Sequence, residues 1–111
     1  MSVYQYDVIR CEKDLAKKIL TSTEIEPDTI TRMDDGSIYL SWETWHGSPF
    51  PDFENLLDDN TPWLYAVENN DLEVWFEKSS CAPKHWEDEI CVTDESVSFI
   101  KYGENISKED I

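Results

Sequence analysis

The sequence predicts an α+β domain, a mainly antiparallel sheet carrying two helices on one face. Three observations point there. Apolar residues alternate with period two through most of the chain, one early segment switches to a period of three and four, and Asp34-Asp35-Gly36 joins two β-rich runs. A chain of 111 residues that is 40% hydrophobic has enough apolar surface for one core, so residues 1–111 are read as a single domain.

Val3 to Cys11 is rich in β-branched and aromatic residues. Tyr4, Tyr6 and Val8 fall on one parity and Val3, Ile9 and Cys11 on the other, which suits a central strand with both faces covered. Leu15, Ala16, Ile19 and Leu20 then recur at helical spacing, with Lys13, Asp14, Lys17 and Lys18 opposite, so an amphipathic helix ends before Glu26-Pro27. Residues 29–33 and 37–42 flank Asp-Gly, which supplies the positive φ of a tight hairpin turn. Ile38, Leu40 and Trp42 are placed inward, and Tyr39, Ser41 and Glu43 on the other face.

Trp45-His46-Gly47-Ser48-Pro49-Phe50-Pro51 cannot continue a strand, since its prolines lack donors. A short helix is expected from Pro51 or Asp52 to Leu57, with Phe53, Leu56 and Leu57 as its apolar stripe and Asp52 and Glu54 at its N-terminal dipole. A second hairpin follows, residues 63–68 and 72–77 around Asn69-Asn70-Asp71. In it Leu72, Val74 and Phe76 face the core while Trp75 points outward between Glu73 and Glu77. Residues 79–86 read as a loop, 89–93 and 96–102 as strands about an Asp94-Glu95 turn, and 103–111 as a tail that frays. Strand, helix, two strands, helix and further strands make a split βαβ, or ferredoxin-like, order with extra C-terminal strands.

Charge is the chain's most unusual property. The formal net charge is −16, against a magnitude of about 2–8 that suffices to keep a small domain soluble. Residues 1–32 carry five basic and six acidic side chains, whereas residues 33–111 carry four lysines and nineteen acids. Met33 to Glu77 holds eleven carboxylates and four tryptophans with no lysine or arginine. Such a surface repels nucleic acid and anionic membranes, which need clustered cations, and attracts a basic partner. No leader-like run or 18-residue apolar stretch is seen, and Cys11, Cys81 and Cys91 form no CxxC pair, so a cytoplasmic setting with free thiols is expected.

Cys81, His85 and Cys91, with Cys11 or His46 as a fourth ligand, could be combined into a metal site, but structural zinc normally shows paired ligands at each end. A catalytic Cys81 or Cys91 beside His85 would want an electropositive surrounding, and Glu87, Asp88 and Glu89 supply the opposite. Asp34-Asp35 is explained by the turn and Asp58-Asp59 by a helix end. With three glycines there is no phosphate-cradling loop. No catalytic residue and no cofactor is assigned.

The segment Trp42-Glu43-Thr44-Trp45-His46-Gly47-Ser48-Pro49, followed by a short helix and a hairpin, resembles a ferredoxin-like domain of phage and plasmid proteins. In that family a strand ends in an aromatic-x-Thr-x-Trp segment before a Ser-Pro-Pro-like turn, and the likeness covers residues 30–80. In size, charge and fold class the chain is also similar to small acidic phage inhibitors of defence nucleases, anti-CRISPR proteins among them, and to immunity proteins that neutralise toxin nucleases.

These readings converge on a non-enzymatic inhibitor that mimics nucleic acid and occupies the basic surface of a nucleic-acid-handling protein. Carboxylates two residues apart on a strand stand about 6.6–6.8 Å apart, close to phosphate spacing along one strand. Glu43, Trp45, Asp52, Glu54, Asp58, Asp59, Glu73, Trp75 and Glu77 are the expected contact residues. An immunity protein or antitoxin for one cognate nuclease toxin is the alternative, and a small metal or thiol protein using Cys81, His85 and Cys91 the third.

Overall fold

The computed structural model describes residues 4–23, 25–45, 57–69, 74–93, 96–99 and 103–111, the side chains of Trp75 and Phe99 excepted. The elements run β1 (Gln5–Cys11), α1 (Lys13–Ser22), β2 (Thr29–Met33), β3 (Ile38–Thr44), β4 (Trp63–Asn69), β5 (Val74–Lys78), α2 (Lys84–Asp88), β6 (Ile90–Val92), β7 (Val97–Phe99) and β8 (Gly103–Asn105), then a 3₁₀ turn at Lys108–Asp110. Six strands form one antiparallel sheet in the order β5-β4-β1-β3-β2-β8, and β6 and β7 pair separately.

β1 is the axis of the sheet, hydrogen-bonded over its whole length to β3 on one side and β4 on the other. Its two-faced apolar pattern has that cause. On one face Ile9, Cys11, Ile38, Leu40, Trp42, Trp63, Tyr65 and Val67 form the main core with Leu15, Ala16 and Ile19 of α1. On the other face Val8, Met33 and Tyr39 form a smaller cluster with Tyr6. Each buried tryptophan has a partner for its indole N–H: Trp42 donates to the Ile25 carbonyl (2.9 Å), Trp63 to the Asp58 carbonyl (2.8 Å) and Trp86 to the Asp35 carboxylate (2.8 Å). That removes the cost of sealing a donor away from water.

α1 follows its 3–4 spacing and stops where Thr21 and Ser22 turn their hydroxyls back onto the Lys18 carbonyl. In the β2–β3 turn Gly36 takes φ +86°, the conformation for which Asp-Gly was read. Ile38, Leu40 and Trp42 are buried as expected, but so are Tyr39 and Ser41, because a second layer covers that face too.

That layer corrects two expectations. Residues 84–88, of which 84–86 read as loop and 87–88 as no element, form α2, and α2 lies across the sheet from α1, since Trp86 stacks on Arg10, whose neighbours Ile9 and Cys11 point the other way into the main core. The described helices therefore do not share one face. The helix expected over 51–57 lies outside the described residues except Leu57, which packs on the main core. The Asp94-Glu95 turn, and residues 70–73 of the second hairpin, lie outside them as well.

The tail expected to fray is instead docked. β8 pairs with β2, Ile106 N–H bonds the Ile30 carbonyl (2.9 Å), and Ile106 and Ile111 pack on the core. Gly103 is required there, because a Cβ would run into the Arg32 carbonyl oxygen. No helix among the described residues is long and apolar enough to cross a membrane.

Candidate functional site

Two clusters of chemistry-bearing side chains stand on the face away from α1, one at each end of β1. At the Gln5 end, register sets Glu43 and Glu68 on either side of Tyr6, with Gln5 opposite Thr44 and so Tyr4 level with Trp45. The Tyr4 and Trp45 rings meet at 5.2 Å, tilted by 57°, and Trp45 remains 58% exposed. Glu43 is exposed, and its backbone N–H donates to the Asp28 carboxylate (2.6 Å). Burial, then the Glu43 charge, pushes the Tyr4 phenol above its usual range, and burial does the same for Tyr6.

Glu68 accepts the Val97 N–H (2.7 Å), which ties β7 over β4. Two strand spacings separate Glu43 from Glu68, about 10 Å between Cα atoms, so their fields overlap within roughly one Debye length at physiological salt. Among the described residues Asp28, Glu43 and Glu68 enter no ion pair.

At the Cys11 end Arg10 is 1% exposed. Its guanidinium lies over the Tyr39 ring (5.3 Å) and the Trp86 ring (5.1 Å) and pairs with Glu89 and with Asp35 (3.0 Å). Asp35 also accepts from Ser37 N–H (2.8 Å), Ser37 Oγ (2.5 Å), Trp86 Nε1 (2.8 Å) and His85 Nε2 (2.7 Å). Burial alone would raise the Asp35 carboxyl. The bonds from Ser37, His85 and Trp86 outweigh it and hold the group well below the usual carboxylate range. So strongly held an anion is a poor proton acceptor near neutral pH, so Asp35 is not itself a general base. Burial pushes the Tyr39 phenol up to about 12 against the opposing Arg10 charge. This second cluster is a clasp that pins α2 and β6 to the sheet.

The remaining expected contact residues are spread out. Asp58 and Asp59 are exposed just before Trp63, which pairs with Cys11, so about 17 Å of strand separates them from Glu43. The Asp59 carbonyl accepts from Ser80 Oγ (3.3 Å) and from Cys81 Sγ (3.2 Å). Glu77 is exposed on the edge strand β5, opposite Tyr65. Trp75 pairs with Val67 through its backbone, while its side chain, Asp52, Glu54 and Glu73 lie outside the description, as does His46. Cys81 lies by Asp59, His85 by Asp35, Cys91 is exposed on β6 and Cys11 is buried. Among the described residues no three His, Cys, Asp or Glu side chains converge as a metal site would require.

The sequence reading missed Tyr4, Asp28 and Glu68 as neighbours of Glu43 and Trp45, although Tyr4 and Tyr6 share the parity that register brings beside Glu43. It also missed the clasp, for which an arginine inside the central strand was the available signal. Among the described cations Arg10, Arg32, Lys78 and Lys108 are each paired with a carboxylate, Lys13, Lys17 and Lys18 are exposed on α1, across the sheet from Glu43, and Lys84 is exposed on α2. Comparison with known protein families, with characterised proteins and with solved structures finds no match.

Proposed function

We propose that this chain is a non-enzymatic binding domain that sets an acidic, aromatic surface against the basic groove of a nucleic-acid-handling protein, in the manner of phage anti-defence inhibitors. The observation that carries it is the Gln5 end of the sheet, where Glu43 and Glu68, in no ion pair among the described residues, flank Tyr6 beside the half-exposed Trp45–Tyr4 pair on the face away from the lysines of α1, and the Asp28 carboxylate is bonded to the Glu43 N–H at the edge. Carboxylates there supply long-range attraction and the rings supply contact area, the two ingredients of a steered interface. The β4-β1-β3-β2 order, with α1 crossing between β1 and β2, supports a ferredoxin-like arrangement extended by β5 and β8. Free, exposed thiols on Cys81 and Cys91 support a reducing, cytoplasmic setting.

The test is displacement. Cationic nucleases and nucleic-acid-binding proteins are loaded with a fluorescent duplex, and this chain is added at rising salt. Release of the duplex that weakens as salt rises, and that the Glu43→Gln, Glu68→Gln double variant reduces, is the expected result. No release from any member of the set, or release indifferent to salt, would refute the reading.

A further inference from the structure

Resting on that reading, we infer that the Tyr4–Trp45–Glu43 patch receives one arginine side chain of the partner, with its guanidinium over the open part of the Trp45 ring and against the Glu43 carboxylate. The chain itself contains the filled version of this arrangement. Arg10 is held between the rings of Tyr39 and Trp86 and bridged by the carboxylates of Asp35 and Glu89. The patch at the other end of β1 repeats the ingredients, two aromatic rings and flanking carboxylates, with no cation paired to them among the described residues and with Trp45 exposed.

Arginine is favoured over lysine on physical grounds. A planar guanidinium stacks on a ring while its edge donates a forked pair of bonds to a carboxylate, and it sheds water more cheaply than an ammonium. Glu43 is exposed, two residues before Trp45 and so on the same face of the chain, which puts a carboxylate within reach of a guanidinium lying on the ring. Asp28 and Glu68 add attraction from either side. A basic groove that handles nucleic acid is rich in arginine, so the occupant and the proposed partner agree in chemistry.

Hexa-arginine and hexa-lysine of equal length and charge serve as probes, with binding to the full-length chain read by tryptophan fluorescence and by the Trp45 indole resonance. A preference for hexa-arginine of about two- to fivefold is expected, the worth of one exposed cation–π contact. Trp45→Ala should abolish the preference while leaving the salt-dependent attraction to both peptides. Glu43→Gln should weaken both and shrink the gap between them. Because Trp45 is exposed, its variant is expected to unfold at the wild-type temperature, and Trp45→Phe should restore part of the preference. Equal binding of the two peptides by the wild-type chain, or a preference that survives Trp45→Ala, would overturn the inference. Salt-dependent duplex displacement that persists in such a case leaves the broader reading standing. Arginine selectivity without displacement would refute the broader reading alone.

Discussion

Removing the carboxylates that face Arg10 should do more damage together than the two losses added. Arg10 is almost completely buried, whereas Asp35 and Glu89 keep 30% and 26% of their side chains in solvent. Asp35→Asn keeps one oxygen, enough for the two Ser37 donors, loses the second oxygen that accepts from Trp86, His85 and Arg10, and leaves Glu89 against the guanidinium, so a loss of about 2 kcal/mol or somewhat more is expected, short of the roughly 3–5 kcal/mol for breaking a buried pair outright. Glu89→Gln alone should cost about the same or less by the same reasoning. The double variant leaves a cation in the interior with no anion beside it, and its loss should exceed the sum by about 1 kcal/mol or more. At roughly 4 °C per kcal/mol for a domain of this length, the double variant should melt about 20 °C below wild type. Adding Arg10→Met, which fills the volume between Tyr39 and Trp86 without a charge, should recover about half of the loss. Urea unfolding followed by tryptophan fluorescence measures the four variants against wild type. Strict additivity of the two single variants, together with no rescue by Arg10→Met, would show that the guanidinium is not what the carboxylates are there to neutralise.

Further outcomes follow from single positions. Asp7 is wholly buried, accepts from Tyr65 Oη (2.5 Å) and Gln5 Nε2 (2.8 Å), and has its pKa raised by burial. An acid whose folded pKa exceeds its unfolded one costs stability once pH rises above that value, so Asp7→Asn should gain on wild type near about pH 7 and lose the advantage near about pH 4. Denaturation midpoints across that range test it, and an advantage independent of pH would contradict the cause given. Gly103→Ala should clash with the Arg32 carbonyl and cost about 1–3 kcal/mol, with hydrogen-exchange protection lost first along β8 and β2. In native protein the exposed Cys81 and Cys91 should react readily with a thiol reagent, while Cys11, buried and with its pKa raised by burial, should react only on unfolding. Rapid labelling of all three thiols in the native state would show that the sheet opens at β1.

Local signals in the sequence were legible. The 3–4 spacing of Leu15, Ala16 and Ile19, the Asp-Gly turn and the two-sided pattern of residues 5–11 each depend on nearest neighbours and led to α1, the β2–β3 hairpin and a central β1. α2 was not legible because Lys84–Asp88 offers one apolar residue, Trp86, and so no period. β8 was missed because Gly-Glu-Asn has no strand-forming side chain and is held by backbone pairing to a strand some seventy residues earlier. The clasp joins positions 10, 35 and 89, and no periodicity reports on a contact of that span. The acidic stretch was visible, but only register could show that Glu43 stands beside Tyr4 and Glu68, away from Asp58 and Asp59.

The three lysines of α1 have a practical bearing on how this molecule meets a surface. Coupling through the amines of that helix to a sensor chip would tether the chain by its back and leave the Glu43 end facing the analyte, whereas coupling through the exposed Lys84 of α2, on the opposite face, would turn it round. In free solution the same asymmetry is an electric dipole, which turns the molecule toward a cationic surface before the two touch.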